Sequence, residues 1–383
     1  MEAYLDNSAT TRPSERVALA MLTCLREGWY NPSALYRPAM EAEKRVSAAR
    51  QDILKAAEAQ GQRLIFTGSG TEADNIAILG HMRTVKKASR VLISSVEHPG
   101  VARCAQELER MGHTVELLPV TRTGVLDLER LRELLREPAA LICVMQVNNE
   151  SGAVQPIAQI ARLRDELCPD CAIHVDGVQG FLRVPVGFNK SGIQSYALSG
   201  HKLHGPKGIG ALIVRRDHKV SPIVFGGGQE EGYRSGTENT PGIIGLAEAV
   251  RGYPEDGVAR MRRCKELLYR GLLEAVPQAV LNGPALDDPA CSPHILNMSL
   301  PPVRSQTMLL ALEGDGVYVS AGSACSSKQQ KVSGVLKAMG VPEPVADCAL
   351  RFSLSPEVTE EQIAYAVACV KKHHELLKKY VRR

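Results

Sequence analysis

The stretch Ser199–Gly210, "SGHKLHGPKGIG", sets Lys202 between His201 and His204 and follows it with glycines and a proline. Such a lysine is either a surface charge on a turn or a nucleophile held by its neighbours. Burial weakens an ammonium's hold on its proton, and the free amine then condenses with carbonyl compounds. Other polar residues interrupt apolar runs elsewhere: Gly70 and Thr71 in "TGSGTEAD", His98 in "SSVEHPG", Asn149 in "VNNESG", Asp176 and Gln179 in "HVDGVQG", and Ser199 beside the lysine. Taken singly, each has an ordinary structural reading, with Asp176 as a helix cap, Asn149 as a turn residue and His98 as a satisfied core imidazole. Together they suit a phosphorylated aromatic ring that carries an aldehyde. A carboxylate keeps a pyridine nitrogen protonated, amides reach a ring hydroxyl, an imidazole stacks on the ring, and hydroxyls at a helix N-terminus hold a phosphate. Pyridoxal 5′-phosphate answers that description, with Lys202 as its anchor.

A second nucleophile stands in "SAGSACSS". Cys325 lies among serine, alanine and glycine, a composition too small and polar to bury a thiol well, which predicts an exposed, mobile loop. The competing reading is a thiol buried like the other nine cysteines. An accessible thiolate there could attack a sulfur atom. Three further patterns imitate sites. Gly68-x-Gly70-x-x-Ala73 with Glu97 partly matches a dinucleotide fingerprint, "GHKLHGPKG" lacks the ending of a P-loop, and Glu97 with His98 is too few ligands for a metal. The "CPDC" pair Cys168 and Cys171 has no second ligand pair at a telling spacing, so it reads as buried thiols.

These residues need elements that bring them together. "RLIFTG", "RVLISSV", "TVELLPV", "LICVMQV", "AIHVDGV", "SYALSG" and "GALIVRR" read as seven short buried strands. Between them "TEADNIAILGHMRTVKK", "GVARCAQELERMG", "DLERLRELLRE" and "IAQIARLRDEL" have helical periodicity. Such alternation predicts an α/β fold with a mostly parallel sheet covered on both faces, and ligands bind beyond its carboxyl ends. After about Pro254 long helices surround a few short strands, which predicts a smaller α+β domain. The expected division is 14–254 for the large domain, with 1–13 and 255–383 forming the small one that carries the Cys325 loop.

A formal charge of +4 over 383 residues is too slight to point to nucleic acid or a membrane surface. The basic tail "KKHHELLKKYVRR" reads as a solvated helix face. No apolar run has the length of a membrane span and "MEAYLDNSATTRP" lacks a signal-peptide pattern, so a cytoplasmic protein is expected.

The ordered motifs "YLDNSATT", "NPSALY", "TGSGTEADN", "EHPGV", "NNESGAVQPI", "HVDGVQ", "SGHKLHGPKGIGAL", "GGGQEEGYRSGTENT", "SAGSACSS" and "LRFSLSPEVTEEQI" run nearly the whole length. In these the chain resembles the NifS/IscS-type cysteine desulfurases, a class-V-aminotransferase-like family with the type I pyridoxal-phosphate fold. The resemblance implies that Lys202 holds the cofactor and takes the substrate's α-proton. It places Asp176 at the pyridine nitrogen, His98 over the ring, and Gln179 and Asn149 near its oxygen. Gly70, Thr71, Ser199 and His201 would bind the phosphate, joined by Thr237 from the partner of a homodimer. Arg351 would hold the substrate carboxylate, a task suited to a guanidinium fork. L-cysteine would become L-alanine while Cys325 takes the sulfur as a persulfide. Cys325 would pass it to an acceptor protein such as an iron–sulfur scaffold, where it could be a transient cluster ligand.

Three stretches depart from the family pattern: Tyr36 and Ala39 replace a usual His and Gly, Glu231 stands where an arginine is common, and "KQQKVSGVL" lacks the usual Glu-Pro-Ser. None removes a catalytic group, but they bear on the pocket entrance, the subunit contacts and the acceptor. The rival expectations are a selenocysteine lyase or other pyridoxal enzyme on the same fold, and a pyridoxal-fold scaffold for a sulfur-accepting partner. A nicotinamide dehydrogenase comes last, because it leaves Lys202, Asp176 and Cys325 without roles.

Overall fold

In the computed structural model residues 1–321 and 333–380 are described. Its larger sheet consists of Arg63–Thr67, Arg90–Ser94, Thr114–Leu118, Leu141–Met145, Ala172–Asp176, Ser195–Ser199 and Gly210–Val214. These are the seven apolar runs expected to be strands. In space they lie in the order 63–67, 210–214, 195–199, 172–176, 141–145, 90–94 and 114–118. Gly210–Val214 alone runs against its neighbours; every other adjacent pair is parallel.

The runs are continuously apolar because both faces of the sheet are covered. Leu64, Leu92, Ile142, Val144, Ile173 and Val175 pack on one side with Ile160 and Leu163 of the Ile157–Leu167 helix. Val91, Ile93, Leu141 and Cys143 face the other side, against Ile78 and Met82 of the Gly70–Met82 helix and Leu108 of Cys104–Arg110. Three helices differ from their predicted spans, with "DLERLRELLRE" confined to Leu128–Leu134. The "TEADNIAILGHMRTVKK" helix stops at Met82, where both the backbone N–H and the hydroxyl of Thr84 turn back onto the His81 carbonyl. The "GVARCAQELERMG" pattern divides into Pro99–Ala102 and Cys104–Arg110 at Arg103. Among the described residues no helix is long and apolar enough to cross a membrane.

A second, antiparallel sheet orders Ser320–Ala321, Ala349–Ser353, Ile295–Ser299 and Val280–Leu281. The Gly257–Ala275 and Glu360–Leu377 helices contribute Met261, Leu268, Ile363 and Val370 to its core. The N-terminal segment stitches the two sheets together. Asp6 bridges to Ser353, Asn7 Nδ2 donates to the Ser353 carbonyl at 2.9 Å, and the Thr11 N–H reaches the His201 carbonyl at 2.8 Å.

The turn after Ala172–Asp176 depends on close approach. A Cβ on Gly177 would lie 1.9 Å from the Tyr196 ring, and one on Gly180 1.9 Å from Gln146 Oε1. Tyr196 and Gln146 are themselves bonded, hydroxyl to Oε1 at 2.7 Å, so the ring cannot swing away without leaving buried polar atoms unpaired. Gly177→Ala should therefore lower stability by about 1–3 kcal/mol in denaturant melts, the usual cost of overfilling a packed interior.

Candidate active site

One crevice of about 400 Å³ lies at the carboxyl ends of the large sheet's strands, where a parallel sheet opens. It is lined by ten of the residues singled out from the sequence. Gly70 and Thr71 enter from a helix start, His98 from the cap of the Pro99–Ala102 helix, Asn149 from the turn after Leu141–Met145, Asp176 and Gln179 from the glycine turn, and Ser199, His201 and Lys202 from the next loop. Arg351 enters from the second sheet. Thr237 lies outside the crevice and is exposed. Cys325 falls outside the described residues.

One end of the crevice is built on the Gly70–Met82 helix, whose first amides have no intrahelical partner. Ser69 caps it by accepting the Glu72 N–H at 3.1 Å. A Cβ on Gly70 would lie 2.6 Å from Val178 Cγ2, so only glycine lets this helix start press against the turn behind Asp176. His201 Nδ1 lies 3.2 Å from Thr10 Oγ1, and burial together with the Lys202 and Lys207 charges lowers its pKa to about 4, so the ring is a neutral hydrogen-bonding group.

At the other end Asp176 is 4% exposed, and its Oδ1 accepts the Val178 N–H at 2.9 Å. Burial, with the Asp74 charge behind it, pushes its carboxyl up to about 7. Burial raises Asp74 itself to about 8. Asp74 meets His174 Nε2 at 3.1 Å, and the other ring nitrogen of His174 lies 2.9 Å from Ser195 Oγ. His98 accepts the Gly100 N–H at Nδ1 at 3.0 Å, which leaves its Nε2 as the protonated nitrogen of the neutral ring. Burial lowers its pKa, against the pull of Asp176.

Lys202 Nζ donates to the Ser8 carbonyl and to the Ala9 carbonyl at 2.7 Å. Arg351 Nη2 pairs with Asp6 Oδ1 at 2.7 Å, and Nη1 donates to the Asn149 carbonyl at 3.0 Å. Asn148 forms the turn that presents Asn149, its Oδ1 accepting the Glu150 and Ser151 N–H groups at 2.9 and 2.8 Å.

Sequence reading gave no role in this site to Asp6, Ser8, Ala9, Asp74 or Glu150, and set Glu97 aside. Asp74 had a signal, since it follows Thr71 by three residues on a helix and so shares its face. Glu97 and Glu150 sit next to assigned residues but were visible only as neighbours. Glu97 Oε1 accepts the Met145 N–H at 2.7 Å, and burial lifts its pKa well above the ordinary value. Ser333 Oγ donates to Glu150 Oε2, and burial pushes Glu150 up to about 7. Glu231, which stands where an arginine is common, faces Arg63 at 3.3 Å, while its neighbour Glu230 forks onto Arg50 at 2.8 and 3.0 Å.

Several buried atoms in the crevice lack protein partners, among them Gln179 Oε1 and Arg351 Nε. A buried acceptor of this kind needs a donor, and a buried guanidinium edge suits a carboxylate. Asp176 needs a cation to ionise in so dry a place. A protonated pyridine ring with a hydroxyl and a phosphate supplies the first and third of these, so the residues fit pyridoxal phosphate.

Residues 3–365 match the family model described as aminotransferase class-V. The chain is similar to a cysteine desulfurase NifS of Azotobacter vinelandii, 37% identical over 94% of this chain and 90% of the relative. It is also similar to a cysteine desulfurase IscS of Dictyoglomus turgidum, 35% identical over 98% of this chain and 95% of the relative. Among solved structures, a NifS-like protein superposes with a TM-score of 0.91 at 32% identity, covering 98% of this chain and all of the other.

The acid pair makes a testable demand. Asp74 and Asp176 have folded pKa values raised above the ordinary 3.8, so between that value and about 7 to 8 the folded chain keeps protons that the unfolded chain has lost. Their contribution to stability therefore falls as pH rises through that window. In cofactor-free protein, Asp74→Asn should flatten this decline in thermal melts from pH 4 to pH 8. An unchanged slope would show that Asp74 does not carry the raised pKa.

Proposed function

The chain belongs to the aminotransferase class-V family, and on that premise we propose that it is a pyridoxal-phosphate-dependent cysteine desulfurase that yields L-alanine and a persulfide on Cys325. The observation that carries the reading is the convergence of Lys202, Asp176 and His98 with a helix N-terminus in one crevice. When bound, pyridoxal phosphate supplies a protonated ring that draws electrons from the substrate's α-carbon.

The residues divide the work. Gly70, Thr71, Ser199 and His201 hold the phosphate at the helix start. The Asp176 carboxylate holds a proton on the pyridine nitrogen, and that pairing offsets the cost of its burial. His98 would pack against the bound ring, and with its Nδ1 occupied by the Gly100 N–H its Nε2 proton would be available to the reacting groups. Gln179 and Asn149 orient the ring hydroxyl. Lys202 anchors the cofactor and moves the α-proton. Its amine starts in reach of two backbone carbonyls, which hold it without competing as a base.

Arg351 receives the substrate carboxylate. Asp6 and the Asn149 carbonyl fix its plane, and its unpartnered Nε leaves one edge for a ligand. The Cys325 thiolate then attacks the substrate sulfur. A sulfur–sulfur bond forms, the carbon–sulfur bond breaks, and the carbon takes up a proton to leave as alanine. Cys325 hands the sulfur to an acceptor protein, such as a scaffold for iron–sulfur assembly.

We assign 14–254 to the large cofactor-binding domain, and 1–13 with 255–383 to the small one. Ala3 and Leu5 support that division, because they pack with residues of the second half. A homodimer in the cytoplasm completes the reading, with Thr237 reaching the partner's phosphate site. Its support is an apolar face made by Leu19, Leu22 and Leu25 of the Glu15–Glu27 helix with Trp29 and Leu35, all exposed in one chain. A second copy would cover it.

Purified protein should be yellow, and borohydride should bleach it with label fixed at Lys202. Lys202→Ala should lower alanine formation roughly a hundred- to ten-thousand-fold, the span of a lost general base. Cys325→Ala should abolish protein-bound sulfur in a single turnover; unchanged sulfur loading would remove Cys325 from the mechanism. A higher kcat/KM for selenocysteine than for cysteine would favour the lyase.

A further inference from the structure

We propose that Lys265 and Cys291 form a reversible covalent cross-link, a sulfenamide between Nζ and Sγ, made when hydrogen peroxide oxidises the thiol. The pair lies outside the crevice, and its test does not depend on the desulfurase reading. Lys265 is 4% exposed on the inner face of the Gly257–Ala275 helix. Its Nζ lies 2.9 Å from Cys291 Sγ and 2.8 Å from the Ser292 carbonyl. Among the described residues no carboxylate pairs with it, so a buried amine has a thiol and a carbonyl as its partners.

Each property needed for the reaction is present. Burial lowers the pKa of Lys265, although the nearby thiol opposes that fall, so the nucleophilic free amine is within reach. At 9% exposed, Cys291 is the most accessible of the described cysteines, enough for a molecule as small as peroxide.

The steps balance. The Cys291 thiolate attacks one peroxide oxygen, the oxygen–oxygen bond breaks, and hydroxide leaves to become water. Sulfur is oxidised by two electrons to the sulfenic acid. The neutral Lys265 amine then attacks sulfur, a nitrogen–sulfur bond forms, and the sulfur–oxygen bond breaks as water leaves with one amine proton. An added thiol reverses this by attacking sulfur, releasing the amine and leaving a mixed disulfide that a second thiol clears.

The location gives the link a mechanical effect. Cys291 bridges to Ala153, the Ser292 N–H donates to the Gly152 carbonyl at 3.0 Å, and the Val154 N–H reaches the Ala290 carbonyl at 2.7 Å. The cross-link would thus tie the long helix to the loop that carries Asn149 and Glu150.

Peptide mapping of peroxide-treated full-length protein decides the matter. We expect peptides joined through Lys265 and Cys291, two hydrogens lighter than their sum, with no tryptic cleavage at Lys265. Dithiothreitol should abolish that species. Lys265→Met should lose the joined peptide and accumulate a dimedone-reactive Cys291. Recovery of Cys291 from oxidised wild-type protein only as a free thiol, sulfinate or sulfonate, with normal cleavage at Lys265, would overturn the proposal. So would a joined peptide that retains an oxygen from peroxide.

Discussion

A carboxylate set at the dry end of a buried strand is costly until a cation comes to it, and Asp176 is such a group. It ends a strand whose residues are all buried, accepts one backbone N–H, and has a second buried acid, Asp74, behind it. Left alone, the site holds onto protons. A pyridinium beside it would remove the penalty, so on the proposed reading the position of this one oxygen pair would set where a ring lies. The rest of the crevice suits such a ring, with a helix start, an imidazole and an amine lining the same cavity.

The backbone keeps these groups in register by close packing rather than by many ion pairs. Gly177 and Gly180 let the turn after Asp176 rest on the Tyr196–Gln146 pair. Gly70 lets the Gly70–Met82 helix start against the same turn. The N-terminal segment works from the opposite side. It lends carbonyls to Lys202 and a carboxylate to Arg351, and so links the amine that would move the proton to the guanidinium that would hold the substrate.

Much of this was legible in the sequence, for a definite reason. Strands covered on both faces are written as unbroken apolar runs, so a polar residue ending one stood out, as Asp176 and Ser199 did. Asp6, Ser8 and Ala9 did not, because they act through contacts with residues roughly two hundred or more positions away and, for Ser8 and Ala9, through backbone carbonyls that carry no residue identity. Asp74 was only faintly marked, because a carboxylate on a helix normally faces water and its three-residue spacing from Thr71 was the one sign of an inward face. The Thr84 turn that ends that helix, and the break at Arg103, follow from local hydrogen bonds that periodicity does not encode.

The single reversed strand of the large sheet has a mechanical meaning. Ser199 pairs with Gly210 across antiparallel backbone, so the segment carrying Lys202 is a short closed loop and not a long crossover. A loop fastened at both feet has little freedom left to lose. Its amine therefore approaches any bound ring along a narrow set of paths, and the entropy that a wandering lysine would surrender at each turnover has already been removed by folding.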